Sequence, residues 1–314
     1  MALASSAAAK EFRVALWHAP FTRDGPGLLL RDIQQGDALL VGLAKAIATA
    51  DADIVVLTRF DYDASGQTLR AFASLVDDGH DFVYPLRSNA GVPTGLDLDG
   101  DGRVGEPEDA QAFGLFPGQE ALAVLSRFPI LDDHVTSFND ILWRDLPGGL
   151  MTAADHGRDV QRLSSGGHWI VPIEVQSRGQ THPVHVLLGH AGPPVFDGPE
   201  DRNGRRNRDE LRLWETIISE TEGPFLFMAN TNLDPERGDG YRAAMGDILA
   251  NSRFADPLPG QVTAHWASPG SMRVSYVLPS MDFGIVSAQI WPLVEGQQHS
   301  LITVDLTLPD AGLP

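Results

Sequence analysis

An acidic loop carries the clearest chemical pattern in this sequence. It runs from Asp97 to Glu108 and reads DLDGDGRVGEPE. Aspartates stand at its first, third and fifth positions, a glycine at the sixth and a glutamate at the twelfth. Carboxylates in this register surround a calcium ion, while the glycine allows the sharp turn and the seventh residue offers its backbone carbonyl. The predicted calcium ligands are Asp97, Asp99, Asp101, the Arg103 carbonyl and Glu108.

The residues around this loop do not predict the two helices that flank a calcium sensor. Gly91–Gly95 is typical of a turn, and Pro107 interrupts the end of the loop. We therefore expect an isolated insertion over residues 95–114 that calcium stabilises, with an affinity suited to a compartment outside the cytosol.

Composition excludes several classes of function. The 314 residues include 23 Lys+Arg and 42 Asp+Glu, so the formal net charge is −19. This balance disfavours a nucleic-acid partner, because such proteins grip phosphates with Lys and Arg. The chain has no cysteine, which excludes disulfides, thiolate metal sites and cysteine nucleophiles. The sequence has no run of about 18 apolar residues, so it predicts no membrane-spanning helix.

The first ten residues, MALASSAAAK, lack the basic start and long apolar stretch of a signal peptide. The small residues of Ala2-Leu3-Ala4 are typical of a cleavage site, so a leader could already have been removed. Together with the calcium loop, this favours a periplasmic or extracellular location.

The predicted elements alternate between strands and helices. Helical spacing marks 39–49, 68–76, 206–219 and 241–249. Short β-branched or apolar runs between turn residues predict strands at 12–17, 54–57, 121–125, 168–175, 184–188, 225–228, 274–278 and 301–306. This order favours two sheets with helices packed outside them.

Several of these segments, in this order, resemble the endonuclease/exonuclease/phosphatase superfamily, whose fold is deoxyribonuclease-I-like. The segments are 13–18, 53–59, 123–127, 188–190, 227–234, 273–278 and 298–299, and the stretches 95–114 and 193–207 resemble a bacterial, secreted branch. The resemblance implies an α+β fold, a four-layer sandwich of two mixed sheets with helices outside. It also implies a single domain over residues 12–308, after a disordered tail over 1–11, with one cleft at the strand ends.

The resemblance also implies catalytic positions, and this chain departs from most of them. Members of the superfamily hold magnesium on carboxylates and activate water with an aspartate. His18 replaces an asparagine, Arg59 the metal-binding glutamate, and Asn230, Ser275 and Gln298 three aspartates, whereas Asn232, His190 and His299 are retained. We therefore expect a pseudoenzyme with respect to magnesium-dependent phosphoester hydrolysis. A residual nuclease or phosphoesterase would need substitute carboxylates, for which Asp61, Asp63 and Asp234 are the candidates.

Three histidines are expected to share the altered cleft: His18, His190 and His299. One hypothesis is a transition-metal site, because neutral imidazoles bind zinc, copper or iron. A three-histidine metal with an open position would support hydration or hydrolysis, so a hydratase or hydrolase is one candidate activity.

A second hypothesis assigns the positive charge to Arg59 in place of a metal. With the three histidines, Arg59 would then bind a small anion such as phosphate, sulfate, carboxylate or bicarbonate, and binding would strengthen as the pH falls through about 6.5. The remaining polar groups of such a cradle are Asn230, Asn232, Ser275 and Gln298. A third hypothesis is a non-catalytic, calcium-stabilised binding or scaffold protein that keeps only the fold.

Overall fold

A computed structural model of the chain describes residues 11–76, 79–177 and 180–308, which form thirteen strands and five α-helices. The predicted tail over 1–11 lies outside the described residues except for Glu11, the first residue of strand β1. Within this part of the chain no helix is long and apolar enough to cross a membrane.

The first sheet has six strands. In spatial order they are β12 (Gly284–Ile290), β13 (Ile302–Thr307), β1 (Glu11–Phe21), β2 (Ile54–Phe60), β4 (Ala121–Ser126) and β3 (Phe82–Leu86). Strand β1 is parallel to β2 and antiparallel to β13, so the sheet is mixed. Its central strands are rich in Val, Ile, Leu and Ala and are buried on both faces, as strands covered on both sides must be.

The second sheet has five strands and is also mixed, because β7 is parallel to β8. In spatial order they are β11 (Ser275–Pro279), β8 (Phe225–Asn230), β7 (Gln180–His190), β6 (Gly167–Ser177) and β5 (Thr136–Ser137). A separate two-stranded ribbon pairs β9 (Ala264–His265) with β10 (Ser271–Met272).

The helices are α1 (Leu28–Gln34), α2 (Ala38–Ala50), α3 (Gln67–Val76), α4 (Arg202–Glu220) and α5 (Ala243–Leu249). Helix α2 begins after Asp37, whose carboxylate accepts hydrogen bonds from the backbone N–H groups of Leu39 and Leu40. Helix α4 is unusual because its buried face carries polar and charged side chains as well as apolar ones.

Alternation along each strand creates three apolar layers. Leu16 and Val56 of the first sheet pack with Leu188 and Met228 of the second in the core between the sheets. Trp17 and its neighbours face outward against α1–α3, and the outer face of the second sheet packs against α4 and α5. This arrangement confirms the predicted four-layer α+β sandwich.

The same alternation positions the polar strand ends. His18, His190 and Asn230 each lie two residues beyond an inward-facing core residue, namely Leu16, Leu188 and Met228. Two residues is one full strand repeat, so these side chains point into the same space between the sheets, where the apolar core ends. The inter-sheet space is therefore lined by buried polar side chains at one end of the sandwich.

Candidate functional site

The site lies where strands of both sheets end. His18 pairs with Thr58 across β1 and β2 in the first sheet. In the second sheet, His190 pairs with Asn230, which in turn pairs with Ser275. His299 lies in the loop before β13 and bridges to Ala264 of the β9–β10 ribbon.

The three predicted histidines form one cluster. The ring of His18 lies 4.3 Å from that of His299 and 5.0 Å from that of His190, measured between centroids. All three side chains are buried. Trp266 closes one side, with its ring 5.2 Å from His299 and perpendicular to it. The structure thus brings together the three histidines that the sequence analysis grouped.

Hydrogen bonding leaves part of this cluster without partners. Nδ1 of His18 lies 2.8 Å from the hydroxyl oxygen of Thr58, and the backbone carbonyl of His299 accepts a hydrogen bond from the Trp17 indole. In contrast, Nδ1 of His190 and Nδ1 of His299 are buried and contact no donor or acceptor among the described residues. Buried polar atoms are nearly always bonded, so these two unbonded nitrogens are exceptions that the protein groups of the cluster do not satisfy.

Burial keeps the cluster uncharged. Desolvation, followed by the nearby charges of His299, His190 and Arg59, holds the pKa of His18 well below its usual value. Burial likewise lowers the pKa of His190 to about 4 and that of His299 to about 3. The imidazoles are therefore neutral at pH 7, which is the form that binds metals and a poor form for attracting anions.

The positive charge of Arg59 is matched by a carboxylate that the sequence analysis missed. Nε and Nη2 of Arg59 donate to Oε1 of Glu120 at 3.0 and 2.7 Å. Glu120 directly precedes β4, and its backbone N–H is held by the carboxylate of Asp61. Nothing in the local sequence marks Glu120, because residues 59 and 120 meet only through the pairing of β2 with β4.

The amide and hydroxyl groups of the predicted anion cradle mostly bind one another. Ser275 donates to Asn230, Asn230 donates to Asn232, and Asn232 donates to the backbone carbonyl of Ala191. Gln298 is exposed, and Nδ1 of His299 beside it has no partner among the described residues. The structure therefore brings Asn230, Asn232 and Ser275 into the cleft and leaves Gln298 at its rim.

The candidate substitute carboxylates are all bound to backbone N–H groups. Asp61 accepts from Arg23 and Glu120, and burial raises its pKa to about 6. Asp63 accepts hydrogen bonds from Gln67 and Thr68 at the start of α3. Asp234 accepts from three backbone N–H groups, those of residues 236, 237 and 273. Arg59 offers no oxygen ligand, and the amides and hydroxyl at the other three positions offer uncharged oxygens in place of the carboxylates that magnesium sites use.

Among the described residues, one set of three metal-ligating side chains brings its ligand atoms within 4.8 Å of one another: Asp97, Asp99 and Asp109. The three histidines do not meet this criterion, so one imidazole must turn before all three could share an ion. The acidic set contains two of the predicted calcium ligands, Asp97 and Asp99, together with Asp109, which was not among the predicted ligands.

Asp109 directly follows the acidic loop and is buried, whereas the predicted closing residue Glu108 lies outside the acidic set. The carboxylate of Asp109 accepts hydrogen bonds from the N–H groups of Leu98 and Gly105. Asp101 accepts from the N–H of Arg103 and also lies outside the set. Gly102 has φ of +90°, as the sharp turn requires.

A buried polar network on α4 supports the His190 side of the cleft. The two carboxylate oxygens of Glu210 accept hydrogen bonds from the N–H groups of Ser165 at 2.6 Å and Gly192 at 2.8 Å. Asn207 donates to the carbonyls of Gly192 and Thr231. These backbone groups follow His190 and Asn230 in sequence or lie beside them, so α4 fixes the strand ends that carry the site.

Sequence and structure comparisons agree on one family. The sequence model described as "Endonuclease/Exonuclease/phosphatase family" matches residues 28–296. No curated protein matches the chain.

Solved structures with the same fold include an endonuclease/exonuclease/phosphatase from Beutenbergia cavernae, 19% identical, covering 97% of this chain and 73% of its own, with a TM-score of 0.63. A mannosyl-6-phosphatase from Bacteroides thetaiotaomicron is 10% identical, covers 95% of this chain and 100% of its own, and has a TM-score of 0.54. The catalytic domain of human Nocturnin, with a bound sulfate, is 12% identical, covers 95% and 93%, and has a TM-score of 0.54. At these identities the likeness shows the fold alone.

Proposed function

Because this chain belongs to the endonuclease/exonuclease/phosphatase family, we propose that it keeps that fold but has exchanged magnesium chemistry for a transition-metal site. The proposed ligands are His18, His190 and His299. A zinc-type ion on three imidazoles retains a position for water, whose pKa the metal lowers, so the chemistry it would supply is hydration or hydrolysis.

The observation that carries this proposal is the set of unpaired imidazole nitrogens. Nδ1 of His190 and Nδ1 of His299 are buried without partners among the described residues, and both rings are neutral at pH 7. Leaving buried nitrogens unbonded costs roughly 1–3 kcal/mol each, which a bound metal would offset. The pairing of Arg59 with Glu120 removes the net positive charge that would otherwise oppose a cation.

Metal content of the protein, purified without a tag or chelator, tests the proposal. We expect about one equivalent of zinc, copper or iron in the wild type and at least tenfold less in His18→Ala, His190→Ala and His299→Ala. His134→Ala is the matched control, because His134 is exposed and lies outside the cluster. Wild-type protein that takes up no transition metal after incubation with excess zinc would refute the metal site.

The same proposal includes the loss of the family's phosphoester chemistry. Arg59, Asn230, Ser275 and Gln298 stand at the acidic positions, and Asp61, Asp63 and Asp234 are engaged in backbone hydrogen bonds. We expect no turnover of DNA, a phosphodiester or a sugar phosphate with magnesium above that of His190→Ala. Turnover that His190→Ala abolishes would instead support a residual phosphoesterase.

A small anion remains the alternative occupant of the cleft, and the sulfate bound to the Nocturnin domain is compatible with it. Neutral imidazoles and an arginine already paired with Glu120 make the cleft a weak anion site at pH 7. If neither zinc nor phosphate binds, the scaffold hypothesis stands.

A second candidate property is calcium binding by the acidic loop, favoured by the closeness of Asp97, Asp99 and Asp109. A site with a dissociation constant of about 50 μM would add roughly 2 kcal/mol of stability in 1 mM calcium.

We expect Asp109→Asn to remove this calcium-dependent gain in stability. Glu108→Gln should remove it only if the residue at the twelfth position of the loop is a ligand. Melting temperatures measured with calcium and with chelator decide between them, and no increment in the wild type would exclude the site. A site of this affinity would be filled by the calcium concentrations found outside the cytosol. Calcium binding by the loop would therefore support export.

A further inference from the structure

The pair of Arg59 and Glu120 lies beside the histidine cluster. Arg59 follows Thr58, whose hydroxyl lies 2.8 Å from Nδ1 of His18, and the backbone of Glu120 is hydrogen-bonded to His190. Both donors of Arg59 converge on Oε1 of Glu120, and the two side chains are 35% and 34% exposed. The charge of Arg59 reaches all three histidines, because it contributes to lowering the pKa of each. Glu120 opposes this effect at His190. After burial, the charges of this pair are therefore part of what sets the electrostatic character of the cluster.

Backbone geometry holds both residues in this place. Arg59 has φ of +63° and Glu120 has φ of +50°, conformations that are uncommon for residues other than glycine. Thr58 pairs with Leu122 and Phe60 pairs with Ala121, so Arg59 is the extra residue of a bulge. A bulge re-aims a side chain, and here it occurs next to the cluster. Two uncommon conformations facing each other across neighbouring strands are hard to explain by chain propensity alone.

We propose that Glu120 and Arg59 form a charge selector that decides which ion the histidine cluster accepts. With Glu120 paired to Arg59, the two charges beside the cluster cancel and the neutral imidazoles accept a divalent cation. With the carboxylate removed, Arg59 is an unpaired guanidinium beside three imidazoles, an arrangement that binds a tetrahedral oxyanion. The expected effect on cation binding rests on the proposed metal site, whereas the expected effect on anion binding rests on Arg59 alone.

Calorimetric titrations with zinc chloride and, separately, with inorganic phosphate test the selector. The proteins are the wild type, Glu120→Gln, Arg59→Gln, the double variant, and Glu222→Gln as a control on an exposed glutamate outside the cluster. We expect Glu120→Gln to bind zinc at least tenfold more weakly and phosphate at least tenfold more tightly than the wild type. The double variant should recover zinc affinity to within about threefold, because both charges are then absent. The heat of zinc binding that remains in His299→Ala is assigned to sites outside the histidine cluster and is subtracted.

Each outcome separates the two ideas. If the wild type binds zinc and Glu120→Gln matches it for both ions, the selector is overturned and the metal site survives. If the wild type binds no zinc, the proposed function fails, and the phosphate titration still decides the selector. In that case tighter phosphate binding by Glu120→Gln that Arg59→Gln abolishes supports the selector, and its absence overturns it.

Discussion

His168 and His190 are buried histidines on neighbouring strands, β6 and β7, yet their surroundings differ. Nδ1 of His168 lies 2.7 Å from the hydroxyl of Ser164, and its Nε2 lies 2.9 Å from the backbone carbonyl of Glu210. Its ring also stacks on Trp214 at 4.7 Å. Nδ1 of His190 has no partner within the described part of the chain.

The difference separates a structural histidine from a candidate functional one. Both residues have a pKa lowered to about 4 by burial, so the pKa alone does not distinguish them. What distinguishes them is hydrogen bonding, since a side chain whose partners are all within the fold has no bonding capacity left for a ligand. Both ring nitrogens of His168 are bonded within the fold, whereas Nδ1 of His190 and Nδ1 of His299 have no partner among the described residues.

The largest expected effect is on stability. His168→Ala removes two buried hydrogen bonds and a stacked ring, so we expect the free energy of unfolding to fall by about 3–5 kcal/mol. His299→Ala also removes a buried ring, which contacts His18 and Trp266, but its Nδ1 has no hydrogen bond to lose, so we expect a loss smaller by about 1–3 kcal/mol than that of His168→Ala. Urea unfolding at pH 7, with chelator present to exclude metal, measures both. Equal losses would show that the two environments do not differ as described.

The pH dependence of stability sharpens the comparison within the α4 network. Burial, opposed by the charge of Arg206, raises the pKa of Glu210 to about 7, against 4.5 ordinarily. The folded state thus holds a proton that the unfolded state releases, and this contribution to stability is full below pH 4.5 and lost as the pH rises through 7. For His168 the sign is opposite: its contribution is full above pH 6.5 and lost as the pH falls through 4.

Glu210 and His168 thus change the free energy of unfolding with pH in opposite directions. We expect Glu210→Gln to remove the contribution of Glu210. Relative to the wild type, its free energy of unfolding should rise by an amount on the order of 3 kcal/mol between pH 4.5 and pH 7. Urea unfolding at several pH values measures this difference, with Glu222→Gln as the matched control. A difference that does not change with pH would mean that Glu210 is ionised in the folded protein throughout this range.

The smallest expected effect concerns the packing of His190. A Cβ added at Gly166 would lie 2.4 Å from Nδ1 of His190, so Gly166→Ala must displace the ring. We expect zinc affinity to fall about tenfold, with little change in the pairing of Glu210 to Ser165. Gly42→Ala is the control, because a Cβ there meets nothing within 4 Å. Unchanged zinc affinity in Gly166→Ala would indicate that Nδ1 of His190 is not a ligand.

Much of the fold was predictable because its strands are apolar and bounded by turn residues. The strands predicted at 54–57 and 121–125 and the helix predicted at 206–219 lie within β2, β4 and α4. Elements α1, β3 and β12 were not predicted, since α1 and β3 are short and β12 is largely exposed at a sheet edge. An exposed edge strand has little apolar patterning from which to be recognised.

The candidate site was predictable only in part. His18, His190 and His299 were grouped through the family resemblance, and the structure places the ring of His18 4.3 Å from that of His299 and 5.0 Å from that of His190. The role of Glu120 was not predictable, because its partner Arg59 lies 61 positions away in sequence. The place of Asp109 in the acidic set was likewise missed, because a register of alternating carboxylates directs attention to the twelfth position rather than to the residue after it.

The sequence by itself determined which side chains this protein has near its strand ends, including an arginine, amides and a hydroxyl at positions where the family resemblance implies carboxylates. Only the tertiary structure decided their charge and bonding. The burial that makes His18, His190 and His299 neutral, and the Glu120 carboxylate that neutralises Arg59, both arise from elements distant in sequence packing together. Hydrogen-bond partners and desolvation are properties of that packing, and they decide whether a histidine at a given position supports the fold or can bind a ligand.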